Sequence, residues 1–269
     1  MPELPDLEAI RDFLNQRLPG TRIERAQTLI PFIIRLPKQA FVEILEGNVF
    51  EETARAGKFL LFNLTSGHRL VVNAMLTGRY QYCLPSERRR AKTCLALLLT
   101  NGHELRYVDE RLMGKVYLVK GDELGSIPQF AEMGPDALSP ELTEQAFSER
   151  LRRYNGQIKS ILINQRFVAG IGNAYSDEIL HDAHIHPYRK RSTLSGEEVS
   201  TLHRSLHSVL EWAIPQITER MGGELPLEEV RDFLRLHRRG GEPCPTCGGR
   251  ITEITAGGRV TSFCRTCQK

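Results

Sequence analysis

The chain has 269 residues, enough for one large domain or two ordinary ones, and its composition excludes collagen-like, disordered and membrane-spanning classes. No apolar run approaches the roughly 20 residues of a spanning helix, and no signal peptide opens the sequence. We therefore expect a reducing, cytoplasmic location and no membrane partner. The net charge of +3 is uninformative, but residues 234–269 carry seven basic side chains against two acidic ones, which favours an anionic partner.

The opening residues Met1-Pro2-Glu3-Leu4-Pro5 hold a candidate nucleophile. If Met1 is removed, Pro2 presents a secondary amine, and an α-amino group has a pKa of about 7.7–8.0. Such an amine can attack a sugar carbon and form a Schiff base, with Glu3 beside it as general acid or base. The ordinary alternative is a start codon, a small second residue and a helix that begins at Asp6.

Apolar residues at helical spacing predict a first helix, which the pair Pro19-Gly20 ends. From residue 22 to about 120 the pattern changes to short strand-like runs separated by Gly, Pro, Asn and Ser, which predicts a sandwich or barrel. The predicted strands are 49–54, 59–64, 70–72, 80–83, 94–99, 105–108 and 116–119.

Residues 126–140 are typical of a linker, and helical patterns follow it. The predicted helices are 143–154, 157–164, 173–183, 196–216 and 227–237. The sequence thus predicts an α+β protein of two domains. An amino-terminal helix and β-sandwich occupy 1–130, a helical domain occupies 131–238, and a cysteine-bearing hairpin occupies 239–269.

The carboxy-terminal hairpin carries Cys244-x-x-Cys247, sixteen residues, and Cys264-x-x-Cys267. This spacing predicts one structural zinc ion held by four thiolates, with no position open for chemistry. An iron site of rubredoxin type is the alternative. Two predicted strands, 251–255 and 260–263, place Arg259 at or next to the hairpin tip, where it suits phosphate or groove binding.

Residues 165–178 form a glycine-rich turn between two predicted helices. Gly170 and Gly172 permit close approach of a partner. Asn173 is a good N-cap, and the free N–H groups of a helix start suit a DNA phosphate. The alternative is an ordinary packing corner between two helices.

Two further basic clusters are Arg88-Arg89-Arg90 with Lys92 and Arg189-Lys190-Arg191. Each could contact phosphates or could be a solvated loop.

Taken together, the motifs resemble the formamidopyrimidine-DNA glycosylase/endonuclease VIII family of base-excision repair enzymes. The matches are the Pro2-Glu3-Leu4-Pro5 start, Gly57-Lys58-Phe59-Leu60, Gly170-Ile171-Gly172-Asn173-Ala174-Tyr175 and the cysteine hairpin with Arg259, in the family's order. The resemblance implies a two-domain fold with a helix-two-turn-helix, and damaged DNA bound in the cleft between the domains. It also implies a bacterial monomer that is associated with the nucleoid when bound to DNA.

The resemblance implies that Pro2 attacks C1′ of a nucleotide flipped from the duplex, while Glu3 assists ring opening and proton transfer. Lys58, Asn173 and Arg259 would grip phosphates around that nucleotide. Strand cleavage by β- and then δ-elimination would follow, and the chemistry needs no diffusible cofactor.

The chain departs from the family pattern in the two loops that fill the gap left by the flipped base. The matching positions hold Leu76, Arg111 and Met113, with Asn73 where the family has histidine and Met113 where it has an aromatic wedge. Leu76 and Met113 can still act as apolar plugs in an unstacked step. Asp6-Leu7-Glu8 replaces the usual Glu-Val-Glu.

The pair His237-Arg238 resembles the endonuclease VIII branch and favours oxidised pyrimidines as substrates. An oxidised-purine glycosylase of the same family is the alternative. A protein that binds lesions or abasic sites without cutting is a further one, since a retained Met1 would block Pro2. A zinc-ribbon transcription or translation factor would explain the cysteine module alone.

Overall fold

The computed structural model describes residues 1–269, which form two compact units. The first unit comprises Met1–Ala131 with Ile217–Val230, and the second comprises Glu132–Gln216 with Arg231–Lys269. The first is built mainly of antiparallel strands and the second of helices and one hairpin, so the predicted α+β class is confirmed. No helix combines the length and the apolar composition that crossing a membrane requires.

Eight antiparallel strands make up most of the first unit. Their bounds are Ile23–Thr28 (β1), Phe50–Ala56 (β2), Phe59–Leu64 (β3), His68–Asn73 (β4), Gly78–Cys83 (β5), Thr93–Leu99 (β6), Glu104–Asp109 (β7) and Lys115–Lys120 (β8). One sheet has the order β1-β6-β7-β5 and the other β2-β3-β4-β8. The buried rings of Phe62 and Tyr80, one from each sheet, lie 6.0 Å apart between centroids. The sheets therefore pack as the predicted β-sandwich.

All seven predicted strands are present, with ends shifted by at most two residues. The sequence missed β1 and a short helix at Lys38–Leu45 (α2). Strand β1 lies at a sheet edge and buries only three of its six residues, so its polar sequence gave no clear alternation. Helix α2 has only eight residues, which is shorter than the window over which a helical pattern can be recognised.

The first helix, Leu4–Asn15 (α1), is fixed to strand β2 at two points. Near its amino end, the carboxylate of Glu8 forms an ion pair with Arg55. At its last residue, Asn15 donates to the carbonyl of Thr53 at 2.9 Å and accepts from the Thr53 N–H at 2.7 Å. These contacts hold the amino end of α1, and with it residues 2 and 3, in a defined place on the sandwich.

The second unit contains helices and a terminal hairpin. Their bounds are Glu144–Arg152 (α3), Ile158–Leu162 (α4), Asn173–Asp182 (α5), Gly196–Met221 (α6), Ile251–Ala256 (β9) and Arg259–Cys264 (β10). Four of the five helices predicted after the linker are therefore present, and α6 runs five residues further than the sequence indicated. The last residues of α6 group with the first unit.

The predicted helix at 227–237 is wrong, because that segment is irregular. Its apolar residues recur at helical spacing, but the backbone N–H groups bind elsewhere. Arg235, Leu236 and His237 donate their N–H groups to the carboxylate of Glu178 at 2.9–3.0 Å. A helix would need those same groups for its own carbonyls. Burial nevertheless raises the pKa of Glu178, although the three N–H donors oppose the shift.

A buried arginine shapes the loop that follows β5. Arg106 is completely buried and donates to Glu104 at 2.6 Å and to the carbonyl of Glu87 at 3.0 Å. Glu104 also accepts from Arg89 at 2.7 Å. Burial alone would raise the pKa of Glu104, but the hydrogen bonds from Arg89 and Arg106 outweigh it, so this pKa lies below its ordinary value.

We expect Glu104→Gln to lower the free energy of unfolding by about 3–5 kcal/mol at neutral pH, because Arg106 loses its buried partner. The depressed pKa means that the contribution of Glu104 is complete above its unfolded pKa of about 4.3 and is lost as the pH falls through the folded value. The stability difference between wild type and variant should therefore shrink below about pH 4.3, as measured by urea denaturation from pH 7 to pH 3.

The exposed Glu51→Gln is the matched control and should change stability by less than about 0.5 kcal/mol. A Glu104→Gln difference that stays constant over the whole pH range would contradict the assignment.

Candidate active site

The predicted nucleophile and its carboxylate lie at the amino end of α1. Pro2 is buried, and Glu3, only 2% exposed, is the N-cap residue. The N–H of Glu3 donates to Asp6 Oδ2 at 2.7 Å, and its carbonyl accepts from the N–H of Leu7. The Asp6 side chain and the first turn of α1 thus fix the backbone at Glu3. At this end of the helix, the helix dipole favours a negative charge.

Met1 precedes Pro2, so the nitrogen of Pro2 is a free secondary amine only after Met1 is removed. The amino group of Met1 forms an ion pair with Glu229 at 2.7 Å, and Arg79 binds the same carboxylate at 2.6 Å. Glu229 lies in the segment that groups with the first unit. A carboxylate is therefore positioned beside the chain terminus.

Lys58 occupies a tight turn that Arg55 links to α1. Ala56 pairs with Phe59 across β2 and β3, so Gly57 and Lys58 alone make the hairpin turn. Gly57 has φ of 55°, the positive value that the first position of such a turn requires. Arg55, already paired with Glu8, donates to the carbonyl of Gly57 at 3.1 Å. The structure therefore ties the turn that carries Lys58 to the helix that begins beside Pro2 and Glu3.

The two predicted wedge loops are neighbours because one buried carboxylate binds both. Asp109 is completely buried, and its Oδ1 accepts from the hydroxyl of Thr77 and from the N–H of Arg111 at 3.2 Å. Its Oδ2 accepts from the N–H of Gly114 at 2.6 Å. The sequence analysis assigned no role to Asp109. An acidic residue at a strand end, followed within five residues by glycine, is a weak signal for such a role.

The predicted wedge side chains point outward from these loops. Leu76 is 39% exposed and Met113 is 40% exposed, and both are among the few large apolar side chains with that much exposure. Arg111 is exposed as well. Each loop contains a residue with positive φ, Met75 at 48° and Leu112 at 53°, so the backbone is bent sharply beside each apolar tip.

The ring of Tyr107 sets the space between the two loops. Tyr107 is buried, and burial raises its pKa far above the ordinary value. A Cβ on Gly78 or on Gly114 would lie only 2.0 Å or 2.1 Å from the Tyr107 hydroxyl oxygen. Only glycine therefore fits at the first residue of β5 and at the end of the second loop.

In the second unit, Gln165 shapes the glycine-rich turn. Its amide nitrogen donates to the carbonyls of Ile163 and Ile171 at 3.0 Å and 2.7 Å, and its oxygen accepts from the N–H of Gly170 at 2.9 Å. Gly170 has φ of 104°, which favours glycine. One side chain thus spans the whole turn.

Asn173 is the first residue of α5, and the predicted N-cap role is wrong because Gly172 is the N-cap. The side-chain nitrogen of Asn173 donates to the carbonyl of Val260 at 2.7 Å. Val260 follows Arg259, which is exposed at the start of β10. The structure therefore brings Gly172, Asn173 and Arg259 together around the start of α5.

A buried ion pair fixes α4, α5 and the hairpin to one another. Lys159 donates to Asp177 at 2.6 Å and to the hydroxyl of Thr261 at 2.9 Å. Asp177 also accepts from His237 at 2.7 Å and from the N–H of Ser262 at 3.1 Å. The position of Arg259 is thereby set by the residues that follow it on β10. The charges of Lys159 and Asp177 alone gave no sequence signal for this network.

The four predicted ligands lie together at the base of the hairpin. The sulfur atoms of Cys244, Cys247, Cys264 and Cys267 all fall within 4.8 Å of one another. Two of the separations are 3.8 Å and 3.5 Å, close to the roughly 3.8 Å edge of a tetrahedron built on Zn–S bonds of about 2.3 Å. The donor set and its spacing fit one structural zinc ion.

His181 supports this site from α5. Its Nε2 lies 3.4 Å from the sulfur of Cys244, and burial lowers the pKa of His181, which favours the neutral ring. A neutral imidazole protonated at Nε2 can donate to a metal-bound thiolate.

Family models match successive parts of the chain. The formamidopyrimidine-DNA glycosylase N-terminal domain matches residues 1–116, the H2TH domain of that glycosylase matches 133–221, and the zinc finger found in FPG and IleRS matches 241–269. A formamidopyrimidine-DNA glycosylase of Pelotomaculum thermopropionicum is 35% identical over all of this chain and 99% of that protein. The chain belongs to the formamidopyrimidine-DNA glycosylase family. A relative of the same name from Symbiobacterium thermophilum is 40% identical over all of this chain and 89% of its own length.

Solved structures of the family share the fold. The Lactococcus lactis enzyme in complex with FAPY-dG containing DNA has a TM-score of 0.90 and 29% identity, covering 99% of this chain and all of that one. Its complex with abasic-site containing DNA gives the same TM-score and identity, with 99% of each chain covered. These matches confirm the family predicted from the motifs, its two-domain α+β fold and its zinc finger.

The names of these glycosylase relatives favour the oxidised-purine alternative over the predicted preference for oxidised pyrimidines. His237, which suggested the endonuclease VIII branch, binds Asp177 through its ring and Glu178 through its N–H. It is therefore part of the packing of this segment against α5.

We expect Gly114→Ala to lower the free energy of unfolding by about 1–3 kcal/mol, because its methyl group would overlap the Tyr107 hydroxyl. Tyr107→Phe in the same chain should recover part of that loss, which a double-mutant cycle by urea denaturation would measure. Gly125→Ala, with open space around its Cβ, is the control. Strictly additive effects of the two substitutions would exclude the proposed clash.

We expect wild-type protein to hold one equivalent of zinc and Cys264→Ser to lose it, since three thiolates and a hydroxyl bind the ion more weakly. Without the ion, amides of β9 and β10 should exchange faster with solvent. Metal analysis and hydrogen exchange would test this. Cys83→Ala removes a thiol outside the cluster and should keep the zinc, whereas full zinc content in Cys264→Ser would count against the four-cysteine site.

Proposed function

We propose that this glycosylase excises oxidised purines of the formamidopyrimidine and 8-oxoguanine type from DNA and then cleaves the strand at the abasic site. The observation that carries the proposal is the match over essentially the whole chain to relatives named formamidopyrimidine-DNA glycosylase, including one solved with FAPY-dG containing DNA. The buried amino end of α1, with Pro2 and Glu3 in place, supports it.

The first step is displacement of the damaged base by the amine of Pro2. The nitrogen forms a bond to C1′ while the bond from C1′ to the base breaks, and the base leaves with a proton. Glu3 then donates a proton to the sugar ring oxygen, so that the ring opens to an iminium ion. Because Glu3 is the N-cap residue of α1, its distance from the amine is set by one peptide unit and a fixed helix.

The second step is strand cleavage, which uses the iminium ion as an electron sink. Loss of a proton from C2′ breaks the C3′–O3′ bond in β-elimination, and loss of a proton from C4′ then breaks the C5′–O5′ bond in δ-elimination. Hydrolysis of the remaining Schiff base returns the free amine. The carboxylate of Glu3 is the residue that we assign to these proton transfers.

Three side chains would hold the phosphates around the extruded nucleotide. Lys58 lies in the turn that Arg55 ties to α1, whereas Asn173 and Arg259 lie at the start of α5 and of β10. Cationic groups and a helix start are the donors that phosphate oxygens prefer.

The exposed loops would fill the space that the nucleotide leaves. Leu76 and Met113 are apolar, exposed and held on adjacent loops by Asp109, which also accepts from the N–H of Arg111. Insertion of such side chains offsets the cost of unstacking, which is a few kcal/mol per step.

Borohydride trapping tests the nucleophile. With Met1 removed, the protein should form a covalent complex that maps to Pro2 on duplexes containing a formamidopyrimidine or 8-oxoguanine, and to a lesser extent on duplexes containing an oxidised pyrimidine. An abasic-site duplex should trap as well, because the lyase step needs no base. The same chain with Met1 retained is the matched control and should not trap, since its Pro2 nitrogen is an amide.

A second variant separates chemistry from binding. Pro2→Gly keeps a terminal amine but loses the secondary-amine ring, so we expect single-turnover rates to fall far more than DNA affinity. Tight binding with no trapped complex on any duplex, despite a verified free Pro2, would instead identify a lesion-binding protein without catalysis.

A further inference from the structure

The loop between β5 and β6, residues 84–92, carries three successive arginines that differ in their exposure and contacts. We refer to it as the basic loop. Arg89 is half-buried and donates to Glu104 at 2.7 Å. Arg88 and Arg90 are exposed, and neither side chain makes a hydrogen bond or an ion pair within the protein. Anchoring of the middle arginine thus leaves two guanidinium groups free at the surface.

Hydrogen bonds from buried side chains hold the basic loop in one conformation. The completely buried Arg106 donates to the carbonyls of Leu84 and Glu87 at 3.3 Å and 3.0 Å. The hydroxyl of Thr93 donates to the carbonyl of Arg90 at 2.8 Å. Because the loop is already fixed, it loses less conformational entropy when it binds a charged partner.

The basic loop lies directly beside the wedge loops. The N–H of Asp109, the residue that binds both wedge loops, donates to the carbonyl of Lys92 at 3.0 Å. Arg90 lines a cavity of about 180 Å³ together with Thr77 and Glu110, which belong to those loops. Glu110 and Glu228 also line this cavity, but neither lies within ion-pair distance of Arg90. Arg90 therefore lies beside the loops that carry Leu76 and Met113, and Arg88 is two residues away in the same basic loop.

We infer that Arg88 and Arg90 form a phosphate-binding surface for the DNA duplex beside the step that the wedge loops fill. The inference rests on the proposed function, because it needs DNA at the wedge loops. Arginine matches phosphate in charge and in hydrogen-bond geometry, and such contacts fix the register of a duplex without reading its sequence. The role is one of positioning and affinity, and the chemistry at C1′ is unaffected.

The salt dependence of DNA binding tests the inference. The probe is a duplex with a tetrahydrofuran abasic analogue, which the enzyme cannot cleave, titrated between 50 and 300 mM KCl. Each lost phosphate contact should make the slope of log K against log salt shallower by about 0.9, so Arg88→Gln with Arg90→Gln should change it by about 1.8. Affinity near 0.1 M salt should fall on the order of tenfold or more.

Two controls separate local contacts from net charge. Arg25→Gln with Lys38→Gln removes the same charge from exposed positions elsewhere on the first unit and should leave the slope nearly unchanged. Arg88→Lys with Arg90→Lys keeps both charges and should keep the slope. The single-turnover excision rate at saturating enzyme should be the same in all variants.

An unchanged slope in the Arg88→Gln, Arg90→Gln chain, or an equal change in both charge-removing chains, would overturn the inference. If the wild-type protein binds and traps normally in either case, the proposed function stands without this surface. If the wild-type protein itself fails to bind the probe or to trap on any duplex, the proposed function fails and this inference fails with it.

Discussion

A buried carboxylate must have its oxygens satisfied by donors, and this constraint organises the irregular segments of the molecule. Asp109 is the clearest case. It takes a hydroxyl from one loop and two backbone N–H groups from the other, and its own N–H binds the basic loop. Loops lack the regular backbone hydrogen-bond pattern of helices and sheets, so the shape of these two loops depends on such a group. The buried Asp109 carboxylate therefore sets the positions of the exposed loop tips that carry Leu76 and Met113.

The second unit follows the same rule. Asp177 accepts from Lys159, His237 and the N–H of Ser262, and its neighbour Glu178 accepts three backbone N–H groups from the irregular segment. Each carboxylate is costly to bury, and each becomes tolerable only when the irregular chain takes one conformation. Two adjacent acids on α5 therefore fix both the zinc hairpin and the segment that precedes it. The hairpin and this irregular segment are thereby held firmly against α5.

The amino end of α1 shows how the proposed reactive groups are held in position. A terminal amine is an ordinary group, and its reactivity depends on where it is held. Helix α1 is tied to β2 by Asn15 and by Glu8, and the arginine that binds Glu8 also holds the turn with Lys58. The proposed nucleophile, its acid and one phosphate ligand therefore share a single local support. Displacement of α1 by even an ångström would misalign all three.

The sequence alone predicted the family, seven of the eight sandwich strands and the zinc ligands, and it offered Pro2, Glu3, Lys58 and Arg259 as candidate site residues. These depend on local patterns, such as alternating apolar residues, cysteine spacing and short motifs, which survive without knowledge of the fold. The sequence missed the edge strand β1 because its polar residues do not alternate clearly with apolar ones, and it missed α2 because eight residues are too few for a helical pattern to be recognised.

Only the tertiary structure decided the roles of Asp109, Asp177, Glu178 and Arg106, because each of them has a partner that lies far away in the sequence. The same reason explains the two errors of local interpretation. The segment 227–237 has helical spacing but gives its N–H groups to Glu178, and Asn173 looks like an N-cap but gives its side chain to Val260. In both places a long-range hydrogen bond overrides the local preference, and no property of the nearby residues reveals that partner.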